Sequence, residues 1–295
     1  MLTSLLNIYA AMTLGTEQNI DTSYIKEDIR AEYEINLPVS MIPVKKITAI
    51  EPVIEADAAI IVDYDSGEVL YEKNTNEKLQ IASITKLMTV IVALEEGNLE
   101  DVVTVSGEAA RTEGSKVWLY SGERITLRNL LKAALIHSGN DAAVAIAQHI
   151  AGDVPSFVEK MNAKASELNL YSTNFANPIG FDNVKNYSTV RDLSQLALVA
   201  YRDPFIKDTV KIESTTIAST NGEQSHDLKS TNQLLSSFLH VLGLKTGHTE
   251  AAGLCFVSVI DNERGNKVVT VVLNSPDRFK ETKMLATWAF RNYIW

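Results

Sequence analysis

Two periods of apolar residues alternate along the chain. Residues 58–74, AAIIVDYDSGEVLYEKN, set two β-rich runs around Asp65-Ser66-Gly67, which predicts a hairpin. Residues 83–97, SITKLMTVIVALEEG, hold apolar side chains at helical spacing and stop at Gly97, predicting a helix that begins near Ser83. A short β-like run, DVVTVSG, follows. From about residue 126 to 210 the period is helical: ITLRNLLKAALIHSG, NDAAVAIAQHIAG, VPSFVEKMNAKASELNL and TVRDLSQLALVAYRD each carry an apolar stripe punctuated by Gly, Asn or Pro. Thr189 with Asp192 predicts an N-cap. Strands return at KIESTTIAST before an Asn221-Gly222 turn, and at AAGLCFVSVI and KVVTVVLNS around DNERGN. A last helix is predicted over RFKETKMLATWAFRNYIW.

This order predicts an α+β fold: one antiparallel β-sheet flanked by N- and C-terminal helices, with an all-helical lobe inserted between its strands. Residues 51–295 form one domain with the lobe at about 100–210, and residues 1–50 are peripheral. The first 15 residues, MLTSLLNIYAAMTLG, are mildly apolar without the basic start of a secretory signal. They read as a weak signal, a short anchor or a frayed terminus. No run approaches the roughly 20 apolar residues that span a bilayer.

Composition narrows the function classes. The 295 residues are 45% hydrophobic and 22% charged, an ordinary globular balance. A net charge of -10 with no Lys/Arg cluster argues against nucleic acid as a partner. The single cysteine, Cys255, excludes an intramolecular disulfide and a Cys-based zinc cluster, and its apolar setting suggests a buried strand residue. No cofactor or metal is expected.

Three short constellations carry chemistry. Ser83 and Lys86 lie three apart at the start of a helix, where their side chains share a face and the backbone offers unpaired N–H groups. Spacing alone does not select them, because Ser23 and Lys26 repeat it in a polar segment. To act as a base Lys86 must shed its proton, and burial or a second cation nearby would lower its pKa. Ser138 and Asn140 sit in IHSGND at a helix–helix junction, where both could face a cleft. The competing reading is that Asn140 caps the helix of residues 141–151. Lys245, Thr246 and Gly247 open a predicted strand in GLKTGHTEAAG, where Gly247 would let a ligand lie along the strand edge and Lys245 would be the second cation. A flanking turn is the plainer alternative there. The five histidines form no triad pattern, and neither G-x-S-x-G nor H-E-x-x-H occurs.

Ser-x-x-Lys, Ser-x-Asn and Lys-Thr-Gly in that order are a known set in serine enzymes that recognise penicillins. With its flanking segments the chain resembles the serine D-alanyl-D-alanine carboxypeptidases among the low-mass penicillin-binding proteins, over about residues 55–295. NPIGFDNVKNYSTVRDL is similar to that family's NPxGLD…HYSTAxDL segment, and GLKTGHTEAAGLCFV to its Lys-Thr-Gly strand. Asn186 stands where the family often has His, and Val190 where Ala is usual; neither falls within the three triplets.

The resemblance implies a β-lactamase/transpeptidase-like fold and a set of roles. Ser83 would attack the carbonyl of the penultimate D-alanine and Lys86 accept its proton. Ser138 and Asn140 would orient substrate and relay a proton to the leaving D-alanine. Lys245 and Thr246 would frame the other wall, and N–H groups of Ser83 and His248 would form an oxyanion hole worth ~3 kcal/mol per donor. Arg278 would help hold the terminal carboxylate. The implied partners are peptidoglycan stem peptides ending in D-Ala-D-Ala and β-lactam antibiotics. The implied location is extracytoplasmic, with peripheral membrane association through the N-terminus left open. A class A-like β-lactamase is the nearest rival, but its Glu-x-x-Leu-Asn motif is missing: Ala165 stands three before Leu168-Asn169. A non-turnover penicillin sensor or scaffold is the other alternative.

Overall fold

Alternation in the strands fills both faces of one sheet. A computed structural model describes residues 42–295, so the Ser23–Lys26 pair and the apolar residues 1–15 lie outside the described residues. In chain order, β1 (Val44–Lys45), β2 (Ala58–Asp63), β3 (Val69–Lys73) and β4 (Leu79–Gln80) lead to a 3-10 turn at Ala82–Thr85 and helix α1 (Lys86–Glu96). The lobe continues with β5 (Val102–Thr104), α2 (Gly107–Arg111), β6 (Arg124–Thr126) and α3 (Leu127–Lys132), which runs into a π-helical turn at Ala133–His137. Then come α4 (Asn140–Ala151), α5 (Val154–Glu167), β7 (Tyr187–Ser188), α6 (Val190–Arg202) and α7 (Pro204–Thr209). Hairpin β8 (Ser214–Ala218) and β9 (Ser225–Lys229) precedes β10 (His240–Thr249), β11 (Gly253–Asp261), β12 (Lys267–Ser275), α8 (Arg278–Asn292) and β13 (Tyr293–Ile294).

The main sheet is antiparallel, in the order β10-β11-β12-β2-β3, so β10 is an edge strand. Strand β2 is buried along its whole length. Its Ala59 and Ile61 join the core under α8, and its Ala58, Ile60 and Val62 join the core shared with the lobe. Ile60 and Ile61 are both fully buried, each contributing about 1.5–3 kcal/mol of transfer free energy.

The hairpin over residues 58–74 is present, with Asp63 Oδ2 accepting from Ser66 N at 2.8 Å inside its turn. Thr189 caps α6, its hydroxyl accepting from Asp192 N at 3.1 Å. Cys255 is buried on β11.

Four expectations need correction. The helix expected from Ser83 opens as a 3-10 turn, and regular α-helix starts at Lys86. The lobe is not all-helical: β5 pairs with β6, which ends the long connection between α2 and α3 that lacks helical periodicity, and β7 pairs with β4. Among the described residues the helix covering the sheet's second face is α6, an internal helix of the lobe, while α8 covers the first. The boundary expected near residue 50 falls inside a paired region: β1 pairs with β13, and Trp288 Nε1 donates to Ile50 O at 2.6 Å.

Candidate active site

Ser83 sits on a turn squeezed between two glycines. Ala82 before it has φ +47, a left-handed conformation rare outside glycine. A Cβ on Gly180 would fall 1.9 Å from Ala82 O, and one on Gly247 would fall 2.8 Å from Ile81 O and 3.2 Å from Ser83 N. Gly180 belongs to the turn before β7 and Gly247 to β10, so distant segments meet on the nucleophile candidate. Gly247 is therefore required for packing against residues 81–83, a different reason from the open ligand edge expected of it.

The Lys86 side chain is fully buried, with Nζ 2.9 Å from Ser83 Oγ, 2.7 Å from Asn140 Oδ1 and 2.7 Å from Ile179 O. Asn140 Oδ1 and Ile179 O can only accept hydrogen bonds. A neutral amine has two hydrogens to give them, which turns its lone pair toward Ser83 Oγ. Burial holds the Lys86 pKa well below the ordinary lysine range; Lys245 pushes in the same direction and Asp141 opposes.

Asn140 does not cap α4. The N-cap position is Gly139, without a side-chain bond, and the Asn140 amide turns inward to Lys86 and to Glu113 O, which it reaches at 2.7 Å. Ser138, in the same turn, is buried in a left-handed conformation at φ +63. Opposite them runs a strap formed by residues 113–119. Its Ser115 O accepts from Asn140 N at 2.7 Å, and its Val117 and Leu119 N–H groups donate to the buried Asp141 carboxylate.

Lys245, Thr246 and Gly247 lie within β10 rather than at its start. Lys245 is buried, donates to Thr246 O at 3.0 Å, and is pushed down to about 7 by burial and by the Arg278 guanidinium. Thr246 Oγ1 lies 2.6 Å from Thr231 Oγ1, and His248 is the first exposed residue beyond them. Arg278 heads α8, and its Nη1 donates to Gly247 O at 2.6 Å, so it backs the same strand; burial lowers its pKa. It has no carboxylate partner among the described residues.

Several residues here were not singled out from sequence. Ala82 and Ile179 act through backbone atoms, and Gly180 through an absent side chain. Asp141 had a signal, an acidic residue directly after Ser-x-Asn. Asn186, outside the triplets in sequence, donates to Thr85 Oγ1 at 3.2 Å between Ser83 and Lys86. The histidines take other places: His149 lies 3.3 Å from Asp101, His240 meets Asp261, and buried His226 lies 2.8 Å from Glu123.

Acyl transfer by a serine whose proton leaves to a buried lysine is the chemistry this corner can support. The same sheet-and-lobe fold is found in a DD-transpeptidase and in a penicillin-binding protein. The Streptomyces K15 DD-transpeptidase superposes with a TM-score of 0.78 at 30% identity, covering 82% of this chain and 100% of that one. Penicillin-binding protein 5 from Haemophilus influenzae superposes with a TM-score of 0.76 at 33% identity, covering 82% of this chain and 73% of that one. The family model for D-alanyl-D-alanine carboxypeptidases, Peptidase_S11, matches residues 45–277, and the chain belongs to that family. D-alanyl-D-alanine carboxypeptidase DacF of Bacillus subtilis is 37% identical over 81% of the chain. DacC of Escherichia coli is 36% identical over 81%. The chain spans 63% and 62% of their respective lengths.

Proposed function

We propose that this protein is a serine-type D-Ala-D-Ala carboxypeptidase acting on peptidoglycan stem peptides. The observation that carries the reading is Lys86, buried with two obligate acceptors and Ser83 Oγ around its amine. Ser83 Oγ attacks the carbonyl of the penultimate D-alanine as its proton passes to Lys86. The oxyanion forms against N–H groups of Ser83 and His248. Collapse breaks the C–N bond, and the terminal D-alanine leaves as an amine that takes a proton through Ser138. Asn140 orients the acyl part, while Lys245, Thr246 and Arg278 hold the terminal carboxylate. Water then attacks the ester and releases Ser83. An amine in place of water would make the same intermediate a transpeptidation donor, and the similarity to a DD-transpeptidase supports that second outcome.

Penicillins would acylate Ser83 in the same way and stay attached. In the lactamase reading a glutamate activates the deacylating water, and the matching position here is Ala165, buried on α5. The substrate places the protein outside the cytoplasmic membrane. Among the described residues no helix is long and apolar enough to cross one. Peripheral attachment would rest on the N-terminal segment and is tested by fractionating wild-type cells against a strain deleted for residues 1–40.

The test of the activity is D-alanine release from a peptide ending in D-Ala-D-Ala, compared with Ser83→Ala, with mass spectrometry after penicillin exposure. Release by wild type alone, with a persistent adduct on Ser83, is expected. Equal release by both proteins would defeat the proposal, and rapid penicillin turnover would favour the lactamase.

A further inference from the structure

The strap of residues 113–119 has no helix or strand of its own to hold it. Trp118 near its end is left-handed, at φ +64, a strained conformation for a bulky residue. Such a turn persists only where its neighbours fix it. On one side Val117 N and Leu119 N each donate to Asp141 Oδ2 at 3.1 Å, and Ser115 O accepts from Asn140 N. On the other side Val117 O meets hairpin β8–β9, where His226 Nδ1 lies 2.9 Å from it. His226 Nε2 lies 2.8 Å from Glu123 Oε1, and Glu123 Oε2 accepts from Tyr120 N at 3.0 Å. Both side chains are buried, at 3% and 1% exposure, and the Tyr120 ring lies beside the imidazole at 6.2 Å. The hairpin is itself anchored: Asn129 Nδ2 donates to Ala218 O at 3.0 Å, and Thr220 N to Arg124 O at 2.8 Å.

Val117 O can only accept, so His226 Nδ1 carries a hydrogen. We propose that His226, braced by Glu123, is a positioning residue for acyl transfer: it fixes the strap that holds Asn140 and Asp141, and so governs Lys86 without touching it. The inference rests on the reading of Lys86 as the base. Asn140 Oδ1 accepts from Lys86 Nζ, so a displaced strap loosens that acceptor. Asp141 opposes the lowering of the Lys86 pKa, while Lys245 on the facing strand supports it. The two strap N–H groups neutralise part of the Asp141 carboxylate. Without them Lys86 feels more of that charge and keeps its proton to higher pH.

The experiment follows penicillin acylation of Ser83 in the full chain by mass spectrometry, across penicillin concentration and pH. Wild type, His226→Leu and Glu123→Gln are compared, with rates taken per molecule that labels at completion. His226→Leu should lower the maximal acylation rate at least ~10-fold and move the rising limb to higher pH. Glu123→Gln should stay within about twofold of wild type with its limb unmoved. Its amide can donate to His226 Nε2 while its oxygen accepts from Tyr120 N, so the brace survives without charge. A His226→Leu protein with a lower melting temperature but wild-type maximal rate and limb would overturn the inference, leaving His226 a packing residue. Equal losses in Glu123→Gln and His226→Leu would overturn the hydrogen-bonded brace. Should His226→Leu fail to fold, the double variant with Glu123→Gln, which buries no charge, decides on the same criterion. No acylation of wild type, or equal labelling of Ser83→Ala, would instead overturn the serine–lysine reading, and this inference with it.

Discussion

The two faces of the main sheet are built from the same kind of strand residue and end in opposite chemistry. Under α8, Ile61, Phe256 and Val272 meet Leu285, Trp288 and Tyr293. The Trp288 ring packs edge-on against Tyr71 at 5.9 Å and Tyr293 at 5.7 Å. Two of the aromatic polar atoms there are paired: Tyr293 Oη donates to Leu70 O at 2.6 Å and Trp288 Nε1 to Ile50 O at 2.6 Å. Between the sheet's edge and the lobe, two lysine amines are buried, and among the described residues neither is paired with a carboxylate. The same region holds Ala82 and Ser138 in left-handed conformations. A buried unpaired ammonium opposes folding unless it gives up its proton, and left-handed backbone adds strain. The apolar face therefore supplies stability that offsets a region shaped for chemistry.

The contrast can be broken in order of effect. Lys86→Met should cut penicillin acylation by about 10⁴-fold while raising the melting temperature, because it removes the base and a buried amine together. A fall in melting temperature would mean that Lys86 contributes to stability after all. Trp288→Ala should do the reverse: a loss of about 3–5 kcal/mol in denaturant unfolding, with the acylation rate of the folded fraction unchanged. Slowed acylation per folded molecule would show that the two faces are coupled.

Gly180→Ala tests the squeeze on the nucleophile. With φ +87 and no room beside Ala82 O, a methyl group must displace the Ala82–Ser83 peptide, and acylation should drop about 10²-fold. Wild-type labelling rates would disprove the steric account.

The smallest effect concerns pH. Lys86 is held low first by burial and second by Lys245, so Lys245→Met should move the rising limb of the acylation–pH profile to higher pH. An unmoved limb would leave burial as the sole cause. Stability has its own sign. Lys245 titrates at about 7 in the fold against 10.5 when free, so the unfolded chain binds more protons between those values. Its contribution favours folding as pH rises through that window and is lost as pH falls through 7. Denaturant titrations of wild type and Lys245→Met across that range measure it.

Much was legible beforehand because it depends on local order. Period 2 in residues 58–74, period 3.6 in residues 83–97, and the turn at Asp65-Ser66-Gly67 are properties of neighbouring residues, so the hairpin, α1 and the terminal helix could be placed. The order of the three triplets singled out Ser83 over Ser23 although both have a lysine three residues on.

The tertiary structure decided what the triplets are for one another. A capping asparagine and one bonded to a buried lysine look alike in IHSGND, and only the approach of α4 to α1 sends the Asn140 amide to Lys86. Gly180 and Gly247 are ordinary turn and strand glycines until the fold brings Ala82 against both. The carbonyl of Ile179 has no side-chain signature at all. Sequence alone determined the long strands and helices with a clear apolar period and which side chains are available to react. The proton-accepting role open to Lys86 depends on desolvation and on acceptors supplied from residues 140 and 179, contacts far apart in the chain that exist only once it is folded.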